Sequence, residues 1–513
     1  MLRLENLSHS RKMGMIGGHI FLIAVLVLLG ISTDPAPVHP LRAAPVLLAQ
    51  AMAAPQAMLH VIVQKQPAAA DVEAQVARLG GRVTRDLHII HAFGADVPGR
   101  AMAQLAATSG VRWISADTPV VAAGCNAPCI NTGNLKSSYP QTVRAKNVWN
   151  TSPGFRQGQG IGVAVLDSGI TPHADLGNRV VANVTVGAST TVSDTYGHGT
   201  HVAGIIGGDG TASNGTYIGI APKVNLVNVK ISDDTGAASA ADVVAGLQWV
   251  NDNKSTYNIR VVNLSLNSSV AESYNVDPID AAVEILWFNK VVVVVSAGND
   301  GKNALNPPAN DPFVITVGAI DDKGTGGTSD DRMPAFSGYG TTSAGFAKPD
   351  LVAPGVNLIS DLAGSQATLP TQHPDHLTSG FTGASAYFRM SGTSMAAPVV
   401  AGAVALLLQD EPNLTPDQVK YRLISTTHAL AGAAGPGGGA GLLNIEAALK
   451  GSSTQNANTG IPASQMLWTG NEPVTWDSIN WNSINWNSIN WNSVNWNSIN
   501  WNSINWNSDD WGP

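Results

Sequence analysis

The sequence predicts a doubly wound α/β domain with a mostly parallel sheet, preceded by a small ferredoxin-like α+β unit. Three observations carry that prediction. The Val/Ile-rich runs at 161–166, 224–231, 261–266, 291–296 and 314–317 are nearly continuous rather than alternating, as in parallel strands buried on both faces. The apolar segments 240–250 and 278–288 lie between them and are long enough to serve as crossover helices. Upstream, the apolar and helical patterns follow one another in the order β-α-β-β-α-β. A chain of 513 residues exceeds one domain, and a prior of about 150 residues per domain allows roughly three units.

At the N-terminus, Arg3, Arg11 and Lys12 precede an apolar stretch at 20–31, and Gly30 and Ser32 suit a cleavage site before Thr33. Residues 1–32 therefore read as a secretion signal. The competing reading is an uncleaved anchor, because the stretch counted from Met13 approaches the ~20 residues that span a bilayer. Residues 33–57 are rich in Ala and Pro and read as a linker, with order expected from Met58. The small unit follows: an apolar run at 59–63, a helical pattern at 71–79, strand-like segments near Val83 and at 87–93, a helical pattern at 99–107 and a strand at 111–115. That order specifies no function by itself.

Cys125 and Cys129 are the only cysteines. Export would permit a local disulfide loop between them, two free thiols remain the alternative, and no ligand cluster nearby supports zinc. Residues 122–150 read as an extension of the mature chain and 151–450 as the main domain. After a polar linker at 451–475, Trp recurs every five residues through 476–513 in the unit Trp-Asn-Ser-Ile-Asn. Five matches neither the strand period nor the helical one. A solenoid, a low-complexity tail and a segment that folds on a surface or glycan partner all stay open.

Charged residues make up 12% of the chain, against roughly 25% in an average globular protein. The balance of 28 basic to 36 acidic residues gives a net charge of −8 with no basic run, which argues against nucleic-acid binding. The composition suits an exported hydrolase.

The chemistry sits in three glycine-flanked segments: Asp167 in Leu-Asp-Ser-Gly, His198 in Gly-His-Gly-Thr-His, and Ser394 in Gly-Thr-Ser-Met-Ala-Ala-Pro. A serine hydroxyl needs an imidazole to take its proton and a carboxylate to fix that imidazole. Asp167 alone would pass for a turn residue, and Ser394 alone for a helix cap. Ser394 opens the apolar segment 395–408, which reads as a buried helix with Pro398 in its first turn, and the helix start favours negative charge at Ser394. His201, one turn beyond His198, is expected to pack. Asn299 follows Ser296-Ala297-Gly298 at a strand end and is the candidate side-chain donor to an oxyanion.

Those four segments, in the order Asp, His, Asn, Ser, resemble the signature motifs of the subtilisin-like serine peptidases. The resemblance covers about residues 150–450. It implies a secreted serine endopeptidase of subtilisin-like fold that hydrolyses protein or peptide substrates without a cofactor for the chemistry. Catalytic roles then fall to Asp167, His198, Ser394 and Asn299, and substrate contact to Ser265, Leu266, Asn267, Ala297 and Gly298. It also implies that residues 58–121 are an inhibitory propeptide, an intramolecular partner removed by self-cleavage near or after Val120. Asn267 departs from the pattern, standing where many relatives carry a channel-lining glycine.

The family often binds structural calcium. Asp175 and Asn214 are candidate ligands, although calcium wants six to eight oxygens that spacing does not assemble. The His373-Pro-Asp-His376 loop is expected to be solvated. A different class of function, an inactive peptidase fold acting as an attachment module through its Trp repeat, is disfavoured by the complete triad.

Overall fold

The computed structural model describes residues 42–118 except 68 and 70, 130–468 except 431–435, and residues 475 and 504–506. The expected leader at 1–32, the stretch around Cys125 and Cys129, and the repeat apart from 504–506 lie outside the described residues. The chain divides into two compact units at Val121.

In the first unit, order begins earlier than Met58. Helix α1 (Pro45–Ala53) stands in the stretch expected to be linker. Proline suits the first turn of a helix. Leu47 and Ala51, four apart on one face, bury themselves in the core that also holds Val61, Val76 and Ile114. Strands β1 (Met58–Lys65), β2 (Arg82–Leu87), β3 (Ala92–Pro98) and β4 (Val111–Ala116), with helices α2 (Val72–Arg78) and α3 (Met102–Ala106), form a sheet ordered β2-β3-β1-β4 with antiparallel pairing throughout. The strand expected at 87–93 is displaced. His88–Ile90 makes a single 3-10 turn with exposed isoleucines, and the buried strand starts at Ala92, after His91 at φ 51°.

The second unit opens with helices α4 (Tyr139–Thr142) and α5 (Lys146–Trp149). Residues 130–150, expected to be an extension, therefore contribute to the main core. Trp149 is fully buried and donates its indole N–H to the Ile220 carbonyl at 2.8 Å, and the Tyr139 hydroxyl donates to the Ile218 carbonyl at 3.1 Å. Then follow β5 (Gly162–Asp167), β6 (Val180–Thr185), α6 (Gly199–Gly207), β7 (Asn225–Lys230), α7 (Ala240–Asn253), β8 (Ile259–Leu264), β9 (Leu266–Ser268), α8 (Pro278–Phe288), β10 (Val292–Ser296) and β11 (Ile315–Ile320). After a short hairpin, β12 (Gly340–Thr341) and β13 (Ala347–Lys348), come β14 (Leu351–Pro354), β15 (Leu358–Asp361), α9 (Thr368–Gln372), β16 (Tyr387–Met390), α10 (Thr393–Asp410), α11 (Pro416–Ser425), α12 (Ile445–Lys450) and β17 (Ile504–Trp506).

Seven strands make one sheet, ordered β14-β11-β10-β8-β5-β7-β6, and every neighbouring pair is parallel. This is the doubly wound α/β fold. The five runs read from sequence supply its centre; the two strands that reading missed are its edges. Helix α10 packs on β8, β10, β11 and α6, and its side chains from Thr393 to Leu408 are buried.

The stretch 451–475 is not simply a linker, because its described part closes the core. Ala463 and Leu467 are buried, and the Ser464 N–H donates to Glu284 Oε2 at 2.8 Å. Glu284 belongs to α8, a helix buried along its whole length.

Asp277 caps α8 by accepting from the N–H groups of Ile279 at 2.8 Å and Asp280 at 3.1 Å. Burial pushes its carboxyl up to about 7, so the folded chain holds this proton to higher pH than the unfolded one. The associated stability is full below about pH 4 and is lost as pH rises through 7. Asp277→Asn, which keeps a capping oxygen, should flatten that loss. Urea midpoints in a Ser394→Ala background between pH 4 and 8 test this, and parallel curves for the two chains would refute it.

Candidate active site

In the sheet order, β10, β8 and β5 are neighbours, and their carboxyl ends deliver Asn299, Ser265 and Asp167. Asp167 is the last residue of β5 and is buried. Its Oδ1 accepts from the Ser168 N–H at 2.7 Å and lies 2.8 Å from His198 Nδ1. Nδ1 therefore carries the proton in the neutral ring, leaving Nε2 as the basic nitrogen.

His198 immediately precedes α6, and the start of that helix is pinned by a residue the sequence reading did not single out. Asp194 accepts from the N–H groups of Gly197 at 2.7 Å and Thr200 at 2.8 Å, and from Ser168 Oγ at 2.8 Å. Ser168 Oγ accepts in turn from the Gly199 N–H at 2.9 Å. The end of β5 and the start of α6 are thereby tied together. Gly199 is required at this approach, because a Cβ there would sit 2.3 Å from the Gly169 carbonyl and 3.0 Å from Asp167 Oδ1. His201 takes a different place, with Nε2 3.1 Å from the Leu358 carbonyl and 3.0 Å from that of Phe388. Burial and the neighbouring His198 push its imidazole down to about 3, so it is a neutral core donor.

Ser394 is the second residue of α10. Its Oγ donates to the Ser265 carbonyl at 2.9 Å, and Ser265 Oγ donates to the Ser394 carbonyl at 2.9 Å. That carbonyl is available because the residue four positions on is Pro398, which has no N–H. Pro398 thus lies inside the helix, in its second turn rather than the expected first, and Ser265 supplies the missing donor.

Asn299 Oδ1 accepts from both the N–H and the Oγ1 of Thr393, each at 3.0 Å. The backbone donor fixes which side of the amide is oxygen, so Nδ2 is the donor left over. It is buried without a hydrogen-bond partner among the described residues, an arrangement that costs about 1–3 kcal/mol. Gly298, at φ +96°, makes the turn that aims it, and the Gly298 N–H donates to Thr393 Oγ1 at 3.1 Å. Thr393, quoted in the serine motif but given no role by the sequence, joins the strand end to the serine helix. Leu266 and Ala297 are buried. Asn267 folds inward, donating from Nδ2 to the Ser296 carbonyl at 3.2 Å, and its Oδ1 would lie 3.3 Å from a Cβ added at Gly298. It links β9 to the end of β10.

Of the two calcium candidates, Asp175 groups with His173 and Asp361, all buried. Its oxygens are occupied, Oδ1 accepting from the Ala212 N–H at 2.6 Å and Oδ2 from the Tyr387 hydroxyl at 2.5 Å. His173 Nδ1 lies 3.3 Å from Asp361 Oδ2. Burial opposes charge on His173, but the Asp361 carboxylate prevails and raises its pKa. Two carboxylates and an imidazole do not make the six to eight oxygens calcium takes, so the set reads as a buried polar network. His376, expected to be solvated, is buried with Nδ1 2.8 Å from the Arg389 carbonyl.

A doubly wound sheet whose strand ends carry a bonded Asp167–His198 pair and, through Ser265, a helix-initial serine has the layout of a serine-peptidase domain. Residues 158–464 match the subtilase family, and the chain belongs to that family. It is similar to "Serine protease AprX" of Bacillus subtilis (strain 168), 40% identical over 278 residues, 53% of this chain and 62% of that relative. "Subtilisin Savinase" of Lederbergia lenta is 35% identical over 295 residues, 57% of this chain and 92% of the relative. "Subtilisin E" of Bacillus subtilis (strain 168) is 30% identical over 385 residues, 73% and 84% of the two chains. The chain thus spans a little under two thirds of the AprX relative and most of the two subtilisins.

Replacing Ser265 by Ala removes the only side-chain donor described at the Ser394 carbonyl. The expected loss of stability is about 1–3 kcal/mol, read as a lower urea midpoint in a Ser394→Ala background. An unchanged midpoint would show that the reciprocal pair contributes nothing.

Proposed function

We propose that this protein is an exported serine endopeptidase, made as a self-processing zymogen, that cleaves peptide bonds through an acyl-enzyme. The observation that carries the reading is the Asn299 amide, anchored by its oxygen to Thr393 and holding a buried donor in reserve, beside the bonded Asp167–His198 pair.

In this mechanism Ser394 Oγ leaves the Ser265 carbonyl and attacks the substrate carbonyl carbon while His198 Nε2 takes its proton. The tetrahedral oxyanion is met by Asn299 Nδ2 and by the Ser394 backbone N–H at the start of α10. His198 returns the proton to the departing amine, and water repeats the sequence to release the acyl group. Asp167 holds the ring and stabilises its charged form throughout. The chemistry needs no cofactor. Ser265, Leu266, Asn267, Ala297 and Gly298 line the substrate strand, with Asn267 restricting its width.

The first unit is assigned as the inhibitory propeptide. Support comes from its separate core and from its β-α-β-β-α-β element order. Export rests on the basic and apolar pattern at the N-terminus. Protein and peptide substrates follow from the reaction, and the tail remains the candidate surface or glycan contact.

Ser394→Ala should abolish casein hydrolysis and leave the precursor at full intact mass; retention of either activity refutes the assignment. Asn299→Ala should lower kcat by about 10²- to 10³-fold with little change in KM. Thr393→Val, which spares the amide but removes one of its two anchors, should cost less than that. Because a protonated imidazole cannot accept the serine proton, kcat/KM should fall in acid, and a profile flat below pH 5 would exclude His198 as the base.

A further inference from the structure

The one described stretch of the repeat is β17, and it pairs antiparallel with β9: Ile504 opposite Ser268, Asn505 opposite Asn267, Trp506 opposite Leu266. Strand β9 starts one residue after Ser265, whose carbonyl holds the Ser394 hydroxyl. Running antiparallel, the tail advances from Ser268 toward Leu266, and so toward the nucleophile. A short strand edge with this placement is where an extended peptide adds, and here a segment of the chain itself is seated on it.

The repeat gives that contact a second property. The paired tripeptide Ile-Asn-Trp recurs every five residues, beginning at 479, 484, 489, 499 and 504, with Val replacing Ile at 494. In one continuous strand an odd period would throw successive copies onto opposite faces. Docked one at a time as three-residue strands, the copies are equivalent, and a slip of five residues restores the same pairing.

We infer that the Ile/Val-Asn-Trp repeats are a tethered, interchangeable occupant of the Leu266–Ser268 edge, competing with peptide substrates for the site. The inference rests on the peptidase reading above. A segment on the same chain meets its site at about millimolar effective concentration, so even a tripeptide of millimolar affinity occupies the edge for much of the time, and six copies multiply the chance.

The test compares the matured enzyme with the same enzyme ending at Thr475. With a peptide p-nitroanilide substrate, truncation should lower KM by about fivefold at unchanged kcat. Sulfonylation of Ser394 by phenylmethanesulfonyl fluoride, which expels fluoride and is too small to need the edge, should proceed at the same rate in both. Replacing Ile504→Gly, Asn505→Ser and Trp506→Gly together should leave KM within about twofold of the full chain, because a neighbouring copy takes over. A fluorescent peptide of two repeats should bind the truncated Ser394→Ala chain and inhibit the truncated active enzyme competitively.

Equal KM values for the full and truncated enzymes, or absence of peptide binding, would overturn the inference. So would cleavage of the tail at its own repeats, which would make it a substrate. If neither enzyme hydrolyses peptides nor reacts with the sulfonyl fluoride, the peptidase reading fails, while peptide binding to the Ser394→Ala chain still decides the docking.

Discussion

Three parallel strands that stop side by side are the constraint on which the site depends. Because β5, β8 and β10 are hydrogen-bonded neighbours, their ends are held at strand spacing, and the residues following them cannot drift apart. Asp167, Ser265 and Asn299 occupy those ends. The histidine and the serine come from helices and must be brought to this edge by other means. For His198 the means is Asp194 and Ser168, which staple α6 to β5. For Ser394 it is the exchange of two hydrogen bonds with Ser265 and the bridge through Thr393 to Asn299. Each attachment spends a buried polar group on position, which a rigid low-dielectric setting makes effective.

The parts of this design legible in sequence are those with a local cause. A strand covered on both faces must be apolar at nearly every position, so the central strands announce themselves. Edge strand β6 escapes that requirement, with only Ala182 buried, whereas β14 is apolar and buried throughout but is four residues ending in proline. The stretch around Pro45 looks like linker because its composition is Ala- and Pro-rich; it becomes helix because Leu47 and Ala51 find a core to enter. The triad residues stand out through their glycine settings, each of which answers a local close approach or turn. Asp194 and Thr393 do not, because their roles exist only once distant segments meet. The effect of Pro398 could have been anticipated in part: a proline four residues after a helix-initial serine frees that serine's carbonyl. The partner, 129 positions away, could not.

The buried network of His173, Asp175, Asp361 and Tyr387 supports the same edge from behind. Helix α6 passes so close to it that a Cβ on Gly204 would lie 2.4 Å from Ser360 Oγ and 2.7 Å from the Asp361 carboxyl carbon. Ser360 Oγ donates to the His201 carbonyl at 2.8 Å, binding β15 to the helix that positions His198. Burying such groups is a poor source of net stability. Its effect is to leave α6 one place to sit.

The nucleophile's position at the head of α10 also has a consequence for synthesis. Asp167 and His198 leave the ribosome early, but Ser394 follows His198 by roughly 200 residues, which at about 5–20 residues per second is a delay of some 10–40 s. Through that interval the nascent chain holds Asp167 and His198 without Ser394. Since Ser394 is held by its contacts to Ser265 and, through Thr393, to Asn299, and α10 is itself central to the core, the site cannot be assembled before the fold is complete. The order of the residues along the chain therefore makes the site one of the last features of the fold that can be completed.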